Sequence, residues 1–323
     1  MLKHRKLLIL AILLVAAAAI AFVLYRHSSQ VPEAARLLPE GDLILYANVK
    51  PVHLFDLAKS GSVQPQGDYK DFVDRTGIQF ERDLNEVAMS RRDTPDGRDV
   101  ESSEIFVGHF DPARLRDYLQ LLSSVRDTYR NYTIYTIPHE GHVVRVTLLQ
   151  PDKVAVTNMA SPEPMHGIID RAYKPSAGPA LLSHYNDVPF GSVAWLIDHI
   201  PNKPNNLELP GGFALTIPAD AIAVGSLRYT GSLLLRADIF AQSEAQAKEI
   251  VDSANTHLAM VRSIGKMIKT KGPDQDVKAA FDSIQVEQKE NVAVFTATIP
   301  QTILKKIWSE AQSQGAVTGA PVH

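Results

Sequence analysis

Cysteine is missing from this 323-residue sequence. Its absence excludes disulfide bonds, thiolate metal ligands, cysteine nucleophiles and the acylated cysteine of a lipoprotein. The folded part must therefore be stabilised by its apolar core alone. Hydrophobic residues make up 45% of the chain and charged residues 21%, values that are ordinary for a globular protein with such a core.

An excess of positive charge is missing as well. The chain carries a formal net charge of −3, and four of its basic residues flank the first apolar segment. Without those four, 29 basic residues remain against 36 acidic ones, so the rest of the chain is at −7. Nucleic-acid affinity depends on a basic surface that neutralises phosphates. The sequence therefore predicts no nucleic-acid partner.

One long run lacks polar residues. Leu7 to Tyr25 contains no charge, amide or proline. At about 1.5 Å per helical residue it spans roughly 28 Å, close to the thickness of the hydrocarbon core of a bilayer. Three basic residues precede it, and Arg26 alone follows closely, which places the N-terminus in the cytoplasm. The prediction is a cytoplasmic stub at 1–6 and a single transmembrane helix at 7–25 in a bacterial inner membrane, with the bulk of the chain in the periplasm or outside.

A cleaved signal peptide is the alternative for this N-terminal segment. Small residues from Ala17 to Ala21 resemble a cleavage site. The apolar run continues through Phe22 to Tyr25, beyond that site, and this continuation favours an uncleaved anchor. Both alternatives stay open at this stage.

Apolar strands followed by amphipathic helices recur along the rest of the chain. One strand ends at Phe110, before Asp111-Pro112 and a helix, and another ends before Pro300. Short turns near 138–141 and 229–232 indicate antiparallel pairing. The prediction is an α+β fold of mostly antiparallel sheets with helices packed on one face. The predicted divisions are a linker at 26–38, a first extracytoplasmic half at 39–190, a second half at 191–312 and a disordered tail at 313–323.

Two of the predicted strands are similar to each other. The segment Ile44–Pro51 parallels Ala194–Pro201 at an offset of 150, and each ends in proline. This pattern predicts two similar halves. Between them, Pro201–Gly212 has the composition of a loop, either a linker between domains or a long loop inside one domain.

Two segments resemble a family of bacterial secreted or membrane-anchored proteins of unknown function. Leu38–Val49 is similar to the Leu-Pro turn and tyrosine-containing strand with which members of that family open, and Thr76–Leu84 is similar to a later Thr-Gly segment. The chain departs from the family at Asn85–Ala88, where members have a Trp-hydrophobic-Gly segment. The resemblance implies a location and a fold type, without any known activity.

His139-Glu140-Gly141-His142 is the most suggestive short motif for metal binding. Two imidazoles and a carboxylate are suitable ligands for Zn²⁺. The histidines are three residues apart and are interrupted by a glycine, whereas zinc proteases need a spacing of four on a helix. A solvated hairpin turn is the favoured interpretation, and no cofactor is predicted.

Other catalytic signatures are absent from the sequence. No Gly-x-Ser-x-Gly motif occurs. Gly265-Lys266 lies in a long helix that the spacing of apolar residues predicts from about Glu244 to Ile268, and it lacks the upstream glycine of a phosphate-binding loop. Trp195 is interpreted as a core residue of a strand, with the rim of a ligand cleft as the alternative.

Two functional hypotheses follow. In the first, the outer domain is a non-enzymatic binding or scaffold module of the cell envelope, whose partner is a protein, a polymer or a lipid. In the second, it is an envelope hydrolase with an active site that matches no motif and uses His139 or His142. The missing catalytic motifs favour the first, and no catalytic residue is assigned.

Overall fold

A computed structural model describes residues 30–50, 67–94, 100–139, 141–200, 205–209, 213–267 and 274–304. The predicted stub, transmembrane helix and tail lie outside these ranges. Within them, no helix combines the length and the apolar character that a membrane span requires.

The described ranges contain helices, one 3₁₀ helix and strands. The helices are α1 (Glu33–Leu37), α2 (Gly67–Thr76), α3 (Phe80–Asp83), α4 (Pro112–Leu122), α5 (Glu163–Tyr173), α6 (Glu244–Met267) and α7 (Asp274–Asp282), with the 3₁₀ helix at Ala180–Asp187. The strands are β1 (Leu43–Asn48), β2 (Leu84–Asp93), β3 (Val100–Gly108), β4 (Val125–Tyr129), β5 (Tyr132–His139), β6 (His142–Gln150), β7 (Lys153–Thr157), β8 (Ala194–His199), β9 (Asn205–Leu209), β10 (Phe213–Ile217), β11 (Ile222–Tyr229), β12 (Leu233–Phe240), β13 (Gln285–Lys289) and β14 (Val292–Ile299).

Twelve of these strands form one antiparallel sheet. Their order is β13-β14-β12-β11-β8-β1-β2-β3-β7-β6-β5-β4, and β9 pairs with β10 in a separate hairpin. The α+β class and the antiparallel sheet predicted from the sequence are confirmed.

The centre of the sheet is the pairing of β1 with β8. Ile44 lies opposite Ile197 and Tyr46 opposite Trp195, and all four side chains are buried. Successive residues of a strand point to opposite faces. We therefore call the face that carries these four residues the Tyr46 face, and the opposite face, which carries Leu45, the Leu45 face.

Helices α1 and α5 and the 3₁₀ helix cover the Tyr46 face. Ala35 and Leu37 of α1, Ile168 of α5 and Leu182 of the 3₁₀ helix belong to one buried cluster with the central strands. The segment 33–38, which the sequence placed in a linker, thus contributes its four apolar residues to the core, namely Ala34, Ala35, Leu37 and Leu38. Their apolar content is the reason, since Leu38 is fully buried.

Helices α4 and α6 cover the outer parts of the Leu45 face. Leu115 of α4 packs with Val146 and Val154, and Ile250 of α6 packs with Ile239. The prediction that helices pack on one face is therefore wrong. Strands such as Leu43–Asn48 are apolar on both sides, so both faces need cover.

The strand order repeats across the β1–β8 pairing. In each half, the second strand pairs with the first and the third pairs with the second. A helix on the Leu45 face follows the third strand in the sequence. The last strand of the half then pairs with the third strand. The matching elements are β1-β2-β3-α4-β6-β7 in the first half and β8-β11-β12-α6-β13-β14 in the second. Strands β1 and β8 also share one alternation of burial, and α1 and the 3₁₀ helix each precede a first strand.

Local predictions differ in their outcome. The helix expected from Glu244 is confirmed through Met267, and Asp111 accepts hydrogen bonds from the amides of Ala113 and Arg114, as an N-cap does. Within the segment Pro201–Gly212, which the sequence assigned to a loop, Asn205–Leu209 is a strand, and its pairing with Phe213–Ile217 supplies the main-chain partners that composition does not reveal.

Candidate functional site: a groove across the central strands

An open groove with a volume of about 970 Å³ runs across the Tyr46 face. One wall is residues 30–36, at the start of α1, and the other is residues 185–192, at the end of the 3₁₀ helix. We call it the central groove. The described strand residues along its floor are Arg236, Trp195, Tyr46, Asn48, Glu86, Val107 and Lys153.

The length of the central groove follows from the strands that it crosses. Arg236 lies on β12 and Lys153 on β7, six strand positions apart in the sheet. With about 4.8 Å between neighbouring strands, the groove is roughly 29 Å long. It suits an elongated ligand that runs perpendicular to the strands.

Aromatic rings form the middle of the floor. The rings of Tyr46 and Trp195 stack with centroids 5.5 Å apart, and Tyr185 meets Trp195 edge-on at 5.3 Å. Trp195 is 3% exposed, so it is a core residue, as the alternation of the strand predicted, and it also lines the groove. Phe190 stands on the rim and is 58% exposed.

The carboxylate of Glu86 lies beside these rings. Burial raises the pKa of Tyr46, and the neighbouring carboxylate of Glu86 raises it further. The Tyr46 hydroxyl therefore stays neutral and can donate a hydrogen bond. Lys50 approaches Glu86 with its Nζ 3.8 Å from Oε1, so the carboxylate has a cation on one side and an aromatic hydroxyl on the other.

Arg236 marks one end of the central groove. Its Nε lies 2.9 Å from both carboxylate oxygens of Asp238, whose side chain is 6% exposed. The two residues share a face because they are two apart on β12. Among the described residues, the Nη groups of Arg236 have no hydrogen-bond partner, so they are available to a ligand. Sequence reasoning missed this site, although two charges in the apolar strand Leu233–Phe240 were a usable signal.

Lys153 marks the other end. Its Nζ donates to Oε2 of Glu33 and to Oε1 of Gln150, both at 2.9 Å. The Lys153 side chain is only 10% exposed, while that of Glu33 is half exposed. The pair joins α1 to β7 and closes the groove on this side.

The candidate metal-binding motif lies outside the central groove. His139 and His142 face each other across the β5–β6 turn, both exposed, and neither lines the central groove. Glu140 lies outside the described residues. In the ranges that the structure describes, no three histidine or acidic side chains gather as a metal site would require.

The serine in the described lining of the groove is Ser192, and its hydroxyl is engaged. The hydroxyl of Ser192 donates to the carbonyl oxygen of Pro189 at 2.6 Å. His184 lies near Asp187, with 3.3 Å between Nδ1 and Oδ2, and is not among the groove-lining residues. The described lining contains acids, bases and amides, but no histidine.

Comparisons with known proteins give little more. No family model matches the chain, and no curated protein matches it. Among solved structures, crystal form III of TP0453 is 16% identical, and the match covers 87% of this chain and 99% of that one with a TM-score of 0.46. Crystal form IV of TP0453 is 14% identical, covers 86% and 97%, and has a TM-score of 0.45.

Proposed function

We propose that this chain is a membrane-anchored, extracytoplasmic binding protein of the cell envelope, and that the central groove holds its ligand. The observation that carries the proposal is the groove itself. It crosses both halves of the sheet, combines apolar and charged side chains, and positions Arg236 through a buried carboxylate. Such a mixed concave surface is what ligand sites present.

Binding is favoured over hydrolysis by the groups that line the groove. A hydrolase needs a nucleophile or an activated water next to a base. In the described lining, Ser192 is engaged with a main-chain carbonyl, and Glu86 is engaged with Lys50. No observation among the described residues favours the alternative of an envelope hydrolase.

The proposed anchor would hold the groove near the membrane. Gln30 lines the groove and lies only five residues after Tyr25, the last residue of the predicted span. Five extended residues reach at most about 18 Å. A ligand in the groove would therefore be within reach of the bilayer surface.

In-cell crosslinking tests the proposal. A photoreactive phenylalanine derivative is placed at Phe190 on the groove rim, and in a matched control at Tyr173, which is 66% exposed and does not line the groove. We expect a discrete adduct from position 190 and none from position 173. Equal labelling at both positions, or none at 190, would contradict the proposal.

A further inference from the structure

We infer that the ligand of the central groove is an extended polypeptide segment of about nine residues with an acidic group at the Arg236 end. This inference rests on the proposed function and names its substrate class. The length comes from the groove of roughly 29 Å, because an extended chain advances about 3.3 Å per residue.

Charge in the lining argues against an acyl chain. Lys50 and Glu33 have side chains that are at least half exposed, and that of Arg236 is about one third exposed. A hydrocarbon in the groove would remove these charges from water without giving them partners, which is costly. Fatty acyl ligands are accordingly disfavoured.

Polyanions and neutral glycans are disfavoured for other reasons. Four basic and four acidic residues are found in the described lining, which therefore has no net positive charge to attract a polyanion. A glycan would need exposed aromatic faces to stack on, but Trp195 and Tyr46 are almost completely buried. Phe190 is the one aromatic ring of the described lining that is strongly exposed.

Peptide chemistry fits what remains. Asn48 and Asn186 bring amides, which can both donate to and accept from main-chain groups. Lys50 and Glu86 present both signs of charge at the centre, suited to a segment of mixed side chains. At one end, the Nη groups of Arg236, which have no partner among the described residues, form the planar fork that binds a carboxylate in two hydrogen bonds.

The ion pair with Asp238 explains why the acidic group of the ligand should bind at the Arg236 end of the groove. Its carboxylate occupies the Nε edge of the guanidinium and fixes the orientation of the fork. At the opposite end, Lys153 already has two hydrogen bonds and is nearly buried. Arg236 is therefore the cation of the floor strands whose donors lack a partner among the described residues. On the wall formed by α1, the buried Nε of Arg36 is a second donor without a partner.

The test uses the full chain in detergent micelles with Trp308→Phe, so that Trp195 is the remaining tryptophan. The probe is a positional-scanning pool of nine-residue peptides with blocked ends. Palmitate and a hexamer of N-acetylglucosamine serve as the other ligand classes. We expect the peptide pool to change Trp195 emission, with at least a ten-fold preference for Asp or Glu at one terminal position.

Variants of Arg236 test whether this residue causes the preference for an acidic residue. Arg236→Gln should abolish the acidic preference and leave preferences at other positions unchanged, while Arg236→Lys should retain part of it. Arg126→Gln, on the exposed edge strand β4, is the control and should change nothing. Melting temperatures check that each variant is folded.

The outcomes separate this inference from the proposed function. If palmitate or the glycan changes Trp195 emission and peptides do not, the inference is overturned and the groove remains a binding site. If selected peptides bind with the same preference after Arg236→Gln, they bind elsewhere and the inference fails. A pool that leaves Trp195 emission unchanged also overturns it, and the crosslinking at Phe190 then decides the proposed function independently.

Discussion

Tyr46 and Trp195 stack across the pairing of β1 with β8, with ring centroids 5.5 Å apart. One ring comes from the first half of the chain and the other from the second. The floor of the central groove therefore exists only when both halves are folded together. This dependence links the stability of the sheet to the proposed binding site.

The two halves should unfold in a single transition. Ile44 and Ile197 are fully buried and lie opposite each other at the junction. Replacing either by alanine should lower the free energy of unfolding by about 2–5 kcal/mol, since each change leaves a cavity. Urea unfolding followed by both circular dichroism and Trp emission is the measurement.

Controls for this prediction come from the surface and from the double variant. Val277→Ala, at an exposed site on α7, should change the free energy by less than about 0.5 kcal/mol. The double variant Ile44→Ala with Ile197→Ala should be non-additive, because the residues are in contact. Two separate transitions, each sensitive to one variant, would show that the halves fold independently.

Two glutamates of β3 should have opposite effects on the pH dependence of stability. Burial raises the pKa of Glu104, which lies between Met89 and Val156 in the sheet. Its native form keeps a proton that the unfolded chain releases near its ordinary pKa of about 4.3, so stability is lost as pH rises through the native pKa. Glu104→Gln should therefore raise the melting temperature more at pH 8 than at pH 4.

Glu101 is the matched comparison. A hydrogen bond from Arg92 lowers the pKa of Glu101, so its contribution is present at neutral pH and lost as pH falls. Glu101→Gln should lower the melting temperature slightly at pH 8 and hardly at all at pH 3. If both variants shift stability in the same direction at pH 8, the assigned environments are wrong.

Metal removal should leave the fold unaffected. His139 and His142 are exposed at a hairpin turn, and the buried clusters of the described core are apolar. The melting temperature of the full chain should be the same with and without a chelator, measured by calorimetry. A decrease of several degrees that disappears in the variant His139→Ala with His142→Ala would establish a metal site at the turn.

The N-terminal run of apolar residues predicts a single membrane span with the rest of the chain outside the cytoplasm. A reporter that is active only outside the cytoplasm, fused after His323, should be active. The protein should remain in the membrane fraction after a high-salt wash. A soluble mature form that begins near Phe22 would show a cleaved signal peptide instead.

Periodicity and capping predicted the individual elements well. The helical spacing from Glu244 and the Asp111-Pro112 start were sufficient because helix signals are local. The placement of α1 against the sheet was not predictable, since five residues form no clear periodic pattern and their burial depends on distant strands. Which helices cover the Tyr46 face and which cover the Leu45 face likewise depends on long-range contacts.

The candidate site was harder to predict for the same reason. Arg236, Glu86 and Lys153 are far apart in sequence and come together only through the strand order of the sheet. The alternation of the strand assigned Trp195 to the core. Trp195 also lines the groove, because residues 185–192 form a wall of the groove beside it, and this placement is a long-range contact. The histidine motif was conspicuous in the sequence, but it lies at a turn.

Occupancy of the central groove in cells is the most direct test. Because the chain has no cysteine, Phe190→Cys and Tyr173→Cys each introduce one thiol at an exposed position. A membrane-impermeant maleimide is applied to cells with a permeabilised outer membrane and to the purified full chain. We predict that both thiols react from outside, with position 190 several-fold slower in cells than in the purified chain and position 173 unchanged. Equal rates at position 190 in both preparations would show an empty groove and contradict the account.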